Sequence, residues 1–227
     1  YLHIELSSQR RLFISDPKSH RRSDIQGLRA ISVLLVVAYH AGLPFHGGFV
    51  GVDSFFVISG FVITSMLERE LSETGRISLR QFYLKRFKRL IPALALVVSV
   101  IVLLSLMLLP PYGAQQTVAK TSIGAMSFVA NWRIAITTGG YFDAPADNNP
   151  LLHVWSLSVE EQFYLVFPAL LVAGWMIGKR QKRWKYLPHI TILFFSCVSF
   201  FIAINPLGTV HSGKGAWLFG FYSPLTR

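Results

Sequence analysis

A single cysteine, Cys197, stands in 227 residues, so no intrachain disulfide can form. It lies in an apolar run, where a thiol packs as a small residue and says nothing of the redox compartment. Acidic residues are also scarce, 11 against 22 Lys plus Arg, and charged residues make up only 15% of the chain. A soluble domain carries about 25%, so an ordinary soluble fold is excluded. No His-Glu-x-x-His, paired Cys-x-x-Cys or Gly-x-Ser-x-Gly occurs, and no metal is expected. Gly208 to Lys214 follows the first part of a phosphate-binding loop, but Gly215 stands where Ser or Thr is needed and no strand precedes it.

What the chain does have is apolar length. Hydrophobic residues reach 52% and mean hydropathy is +0.46. Runs near twenty apolar residues recur, enough to cross a hydrocarbon core of about 30 Å. A membrane barrel would show short alternating segments instead. The fold class is therefore all-α, a polytopic transmembrane helical bundle. The formal charge of +11 does not point to nucleic acid, because 18 of the 22 basic residues sit in three blocks, Arg10 to Arg29, Arg69 to Arg89 and Lys179 to Lys185. Those blocks alternate with apolar spans, the pattern of cytoplasmic segments in membrane proteins.

The pattern predicts about five spans and the start of a sixth, with the bundle cut short. Residues 1–24 read as a basic cytoplasmic tail, and 25–227 as part of one membrane domain. The first span runs from Ile25 to Leu43; it lacks a small-residue cleavage site and is read as retained. The second covers Val50 to Leu67, after a tight turn at Pro44 to Gly48. A charged inner loop follows over Glu68 to Arg89, with an amphipathic helix at Leu79 to Leu90. The third span is Leu90 to Leu109, stopped by Pro110-Pro111. Tyr112 to Pro150 is an outer stretch with a short or re-entrant helix at Thr121 to Trp132. Spans four and five cover Leu151 to Ile177 and Leu187 to Ile204. Asn205 to Gly215 lies outside, and another span begins at Ala216. This arrangement puts every basic block on one side, with the N-terminus in the cytoplasm and the protein in the inner (plasma) membrane.

Four constellations could carry chemistry. Arg29 and His40 are eleven residues apart on one apolar segment, about 16 Å along a helix and nearly in line. Both are costly in a membrane. A neutral imidazole can take a proton, and Arg29 can hold an anion; the plainer alternative is a snorkelling arginine and a histidine bonded to a neighbouring helix. Second, the glycines of Gly47 to Phe56 permit close backbone approach. Asp53 there either caps the second span or pairs with His40. Third, Arg86 and Arg89 share a face beside Lys85 and Lys88, fit for phosphates or merely for a cytoplasmic span end. Fourth, His153 to Tyr164 brings Glu160 and Glu161 into a span, with Ser156, Glu160 and Phe163 or Tyr164 on one face. Glu160 is expected to be the better buried, either functional or paired with an arginine of another helix.

Taken in order, these segments resemble the acyltransferase-3 family of membrane O-acyltransferases. The resemblance is carried by Arg29-(ten residues)-His40, by Gly-Phe-Val-Gly-Val-Asp-Ser-Phe-Phe-Val-Ile-Ser-Gly-Phe from Gly48 to Phe61, by Arg86-Phe-Lys-Arg89-Leu-Ile-Pro92, and by His153-Val-Trp-Ser-Leu-Ser-Val-Glu-Glu-Gln-Phe-Tyr164. Ser223 to Arg227 resembles the start of a later family helix. The resemblance covers about Arg22 to Arg227 and implies transfer of an acyl group, usually acetyl, from cytoplasmic acyl-CoA to a hydroxyl of a cell-surface glycan or glycolipid. It implies His40 and Arg29 at the reaction centre and matches Glu160 to the family's glutamate; Asp53, from the second constellation, joins them as a further catalytic candidate. Arg86 and Arg89 are implied as contacts for the CoA phosphates. The family's membrane domain has about ten spans, so the chain is expected to be a piece of a longer protein.

Two other classes compete with the enzyme. A proton- or ion-coupled transporter would use Arg29, His40, Asp53 and Glu160 as an intramembrane relay. A membrane scaffold would use the same polar groups only to join helices.

Overall fold

The structure, a computed structural model, describes residues 22–138, 149–180, 186–204 and 222–225. Among them the chain forms seven helices and no strand. These are α1 Ser23–His40, α2 Val50–Thr74, α3 Leu79–Leu108, α4 Ala114–Met126, α5 Ala130–Thr138, α6 Val154–Arg180 and α7 Leu187–Ile204. In hydrocarbon every backbone N–H and C=O must be satisfied internally, so long apolar runs can only become helices. Three helices are long and apolar enough to cross a membrane, at Val50–Thr74, Leu79–Leu108 and Val154–Gly178. The 18-residue α1 has Asp24, Gln26 and Arg29 at one end and His40 at the other. The 18-residue α7 contributes the apolar stretch His189–Ile202. The outward faces carry Leu96, Leu103, Met107, Phe194, Phe200 and Phe201, all exposed, as suits helices whose surroundings are apolar.

The chain divides within α2 into two units, Tyr1–Ile58 and Ser59–Arg227. In the first, α1 ends in a complete Schellman turn. Gly42 adopts φ +72°, its N–H donates to the Tyr39 carbonyl, and the Leu43 N–H donates to the Ala38 carbonyl. The stop falls at His40, three residues earlier than the sequence pattern predicts. The start of α2 then packs on α1 with almost no separation. A Cβ on Gly48 would stand 2.3 Å from the Leu35 carbonyl oxygen, and one on Gly51 2.3 Å from that of Ser32. The glycines of this motif thus permit contact between backbones, as their spacing suggests.

In the second unit, α6 is the central element. Its Tyr164 and Leu171 pack with Ile63 and Leu67 of α2 in a buried cluster, flanked by Phe82, Phe163, Phe167 and Trp175. The structure corrects the reading of Glu68 to Leu109. The predicted inner loop, amphipathic helix and third span merge: α2 continues to Thr74, and α3 runs unbroken through the basic cluster to Leu108. Pro92 lies inside α3. Proline there removes one internal hydrogen bond of the helix without ending it. At its far end, Gln115 Nε2 donates to the Leu109 carbonyl at 2.8 Å and caps the helix.

The single helix predicted over Thr121 to Trp132 is instead two, α4 and α5, broken at Ser127 to Val129. Phe128 takes φ +55°, a left-handed conformation that favours glycine. It occupies the position after the helix cap, with the Val129 N–H donating to the Gly124 carbonyl at 2.8 Å. Its ring stacks on Phe87 of α3 at 6.1 Å. Residues 1–21, 205–221 and 226–227, which include most of the predicted tail, the outer segment and nearly all of the sixth-span start, lie outside the described residues.

Candidate functional site

In the first unit, His40 occupies the last turn of α1 and is exposed. Its Nδ1 lies 2.8 Å from the Val36 carbonyl oxygen, one turn back. A carbonyl oxygen only accepts, so Nδ1 must carry the proton and donate. In the neutral ring the lone pair then resides on Nε2. Tyr39 meets the His40 ring edge-on at 5.1 Å and Phe49 at 5.7 Å. Arg29 is partly buried, its guanidinium 4.8 Å over the Phe55 ring, a contact that favours a cation in a poorly hydrated place. Asp53 stands in the first turn of α2, where the helix dipole favours a carboxylate.

In the second unit, α6 presents its two carboxylates to different partners. The chain enters α6 through Asn149, whose Nδ2 donates to Thr121 Oγ1 at 3.0 Å and whose Oδ1 accepts from the Leu151 N–H at 3.0 Å. At the second residue of α6, Trp155 is buried edge-on against Tyr222 at 5.5 Å. Arg86 Nε donates to both oxygens of Glu161, at 2.8 and 2.9 Å, and its Nη2 donates to Glu161 Oε1 as well. The same guanidinium lies 3.3 Å from the Tyr164 ring centroid and 3.7 Å from Glu160 Oε1. That oxygen also accepts from the Tyr164 hydroxyl, and from Ser59 Oγ at 3.2 Å.

Glu161 is the more deeply buried carboxylate, with 6% of its side chain exposed against 12% for Glu160. The expectation that Glu160 is the better buried is therefore corrected. Adjacent residues point about 100° apart on a helix; Glu161 faces α3, and Glu160 faces Ser59 of α2. Both are partnered, as buried charges require.

Next along α6, Gln162 Nε2 donates to the Phe128 carbonyl at 2.7 Å and to Asn131 Oδ1 at 2.9 Å. Asn131, fully buried, donates to the Tyr222 carbonyl at 3.1 Å. Glu160, Glu161 and Gln162 thus tie α6 to α2, α3 and the α4–α5 turn in succession. Asn131, Ser59 and Tyr164 were not singled out as partners of these groups in the sequence. Tyr164 stands one turn from Glu160 on the same helix, as their shared face suggests; for Ser59 and Asn131 the signal is weak, a polar residue in an apolar stretch, and only tertiary geometry pairs them. Arg89, Lys85 and Lys88 are exposed, and none makes a hydrogen bond or ion pair among the described residues. The structure therefore separates the two arginines that share a motif: Arg86 is engaged and Arg89 is free.

A family model described as an acyltransferase domain matches residues 22–225. The chain is 40% identical over 149 residues to the peptidoglycan O-acetyltransferase OatA of Listeria monocytogenes, covering 65% of this chain and 24% of that protein. It is 39% identical over 183 residues to a putative O-acetyltransferase of Staphylococcus aureus strain COL, covering 80% and 30%. The O-acetyltransferase OatA of Staphylococcus aureus strain NCTC 8325 is 41% identical over 148 residues, covering 65% and 24%. The matched region thus spans less than a third of these relatives' lengths. No solved structure matches the chain. The matches favour acyl transfer over the transport relay. With all of its described residues inside the family match and its apolar helices suited to a bilayer, the chain is a membrane protein of the acyltransferase-3 family.

Proposed function

We propose that this chain is the N-terminal part of the membrane domain of an O-acyltransferase, which moves an acetyl group from cytoplasmic acetyl-CoA to a hydroxyl of a cell-envelope glycan. The observation that carries the proposal is the His40 ring, whose Nδ1–H is tied to the Val36 carbonyl and whose Nε2 therefore holds the lone pair. That is the state a general base needs. In the transfer, Nε2 takes the proton of the acceptor hydroxyl as its oxygen attacks the thioester carbonyl. The carbon–sulfur bond breaks, the carbon–oxygen ester bond forms, and the proton passes to the departing CoA thiolate.

We assign Arg29 to hold an anionic group of a substrate, and give Asp53 and Glu160 supporting roles among the catalytic residues. Arg89, with Arg86 next to it, marks the face of α3 where the donor's phosphates are met. This reading places residues 1–24 as a cytoplasmic tail, 25–227 as part of the membrane domain, and the protein in the plasma membrane with its N-terminus inside. The name of the Listeria relative supports a peptidoglycan-like acceptor.

The test uses membranes carrying the complete protein and labelled acetyl-CoA. Wild type is expected to label a glycan, and His40→Ala to abolish labelling while inserting normally. Equal labelling by both would remove His40 from the reaction. Labelling by neither would reject acetyl-CoA as the donor.

A further inference from the structure

We infer that Arg86 is a positioning residue, the counter-ion that fixes Glu161 and Glu160 of α6 within the span, and that the donor phosphates are left to Arg89 and its neighbouring lysines. The inference deepens the acyl-donor reading above and rests on it for its kinetic test.

Depth is the first argument. Glu161 is seven residues past the start of α6, about 10 Å along the helix, and some 26 Å short of the span's far end at Gly178. Arg86, seven residues past the start of α3, meets it inside the helix packing, where an unpaired buried charge is costly and a paired one is retained.

Occupancy is the second. Of the five guanidinium N–H groups, Nε–H and one on Nη2 go to Glu161, and Nη2 also faces Glu160. The Tyr164 ring covers one flat side at 3.3 Å. A bidentate grip on phosphate needs two adjacent N–H groups in the guanidinium plane, and only Nη1 stands outside these contacts.

Charge is the third. With both carboxylates ionised, the cluster holds two negative charges against one positive. A phosphate brought to Arg86 would meet carboxylates within about 4 Å, a repulsion that weakly hydrated surroundings strengthen. Arg89, Lys85 and Lys88 suffer none of this, being exposed and free of partners among the described residues. Round α3, Arg89 stands about 60° from Arg86, Lys85 about 100° and Lys88 about 160°, so the three flank the α6 contact without entering it.

The consequence is a division of labour within Arg86-Phe-Lys-Arg89. Removing Arg86 should misplace Glu160 and Tyr164 and lower turnover. Removing Arg89 should weaken donor binding.

The experiment compares Arg86→Gln, Arg86→Lys, Glu161→Gln, Arg86→Gln with Glu161→Gln, and Arg89→Gln in the complete protein in membranes, varying acetyl-CoA. Arg86→Gln is expected to lower kcat about tenfold or more with KM for acetyl-CoA within about twofold of wild type, and the double variant to be no worse than the poorer single. Arg89→Gln is expected to raise KM about tenfold, the loss of one charge-assisted hydrogen bond. Arg86→Lys keeps the charge but not the fork, so it should lower kcat with KM for acetyl-CoA within about twofold of wild type, whereas at a phosphate contact the same change would raise KM.

A KM rise for Arg86→Gln equal to that of Arg89→Gln, additive with Glu161→Gln, would overturn the inference. If wild type shows no acetyl-CoA dependence, the donor reading fails by itself. The same variants' thermal unfolding in detergent then decides the pairing: non-additive losses at Arg86 and Glu161 uphold it, and additive losses refute it.

Discussion

Gly51 of α2 lies so close to Ser32 of α1 that a Cβ at Gly51 would stand 2.3 Å from the Ser32 carbonyl oxygen and 2.9 Å from Val36 Cγ2. Ser32 is itself buried, its hydroxyl donating to the Leu28 carbonyl at 2.9 Å. Lipid offers no hydrophobic drive to join two helices, so small residues that let backbones touch must supply the contact through dispersion.

Gly51→Ala should therefore destabilise the complete protein in detergent by about 1–3 kcal/mol, the usual cost of overpacking. Gly47→Ala is the control, since nothing lies within 4 Å of a Cβ there. Thermal unfolding of the two variants is the measurement. Equal melting temperatures would mean that the helices part readily at Gly51.

Phe128 is a second place where backbone demand and residue type disagree. Its φ of +55° suits glycine, yet its ring stacks on Phe87 and its carbonyl accepts from Gln162. Strain of this kind costs about 1–3 kcal/mol and persists only where neighbours hold it. Phe128→Ala loses the ring and keeps the strain; Phe128→Gly loses the ring and relieves it. The glycine variant should be the more stable by about 1 kcal/mol. A denaturation series that ranks alanine above glycine would show that the turn is not strained.

The starts of α2 and α7 were legible in the sequence because a Pro- and Gly-rich turn precedes the first apolar run and a basic block precedes the second. The continuity of α3 was not. Its basic cluster reads as an amphipathic inner helix set apart from the span that follows, and only the carboxylate of Glu161, 75 residues away, shows the partner that holds Arg86 against α6. The choice between Glu160 and Glu161 was hidden for a similar reason. Helical periodicity separates their directions but does not say which direction holds an arginine. Phe128 hid the break between α4 and α5, since no glycine or proline marks it.

The buried amide pair supplies another prediction. Gln162 donates to Asn131 and to the Phe128 carbonyl, and Asn131 donates back to Gln162 Oε1 at 3.3 Å and onward to the Tyr222 carbonyl. Gln162→Ala should cost about 1–3 kcal/mol, because it leaves buried polar atoms unpaired. Asn131→Ala should cost a similar amount. The double variant should lose less than the two losses added, by about 0.5 kcal/mol or more. Strict additivity in denaturation would dissolve the network into independent bonds.

The His40 ring can be read directly. A donor bond from Nδ1 to Val36 fixes one neutral tautomer, and the catalytic proposal depends on it, since only a bare Nε2 can accept a hydroxyl proton. Nitrogen-15 spectra of histidine-labelled complete protein in detergent at alkaline pH, with His40→Asn used to assign the signal, should show a protonated Nδ1 and an unprotonated Nε2. His189 lies in α7, outside this arrangement, and serves as an internal comparison. A signal with the proton on Nε2 would leave Nδ1 facing an acceptor with no proton to give. It would contradict the Val36 bond and move the base for acyl transfer to another group.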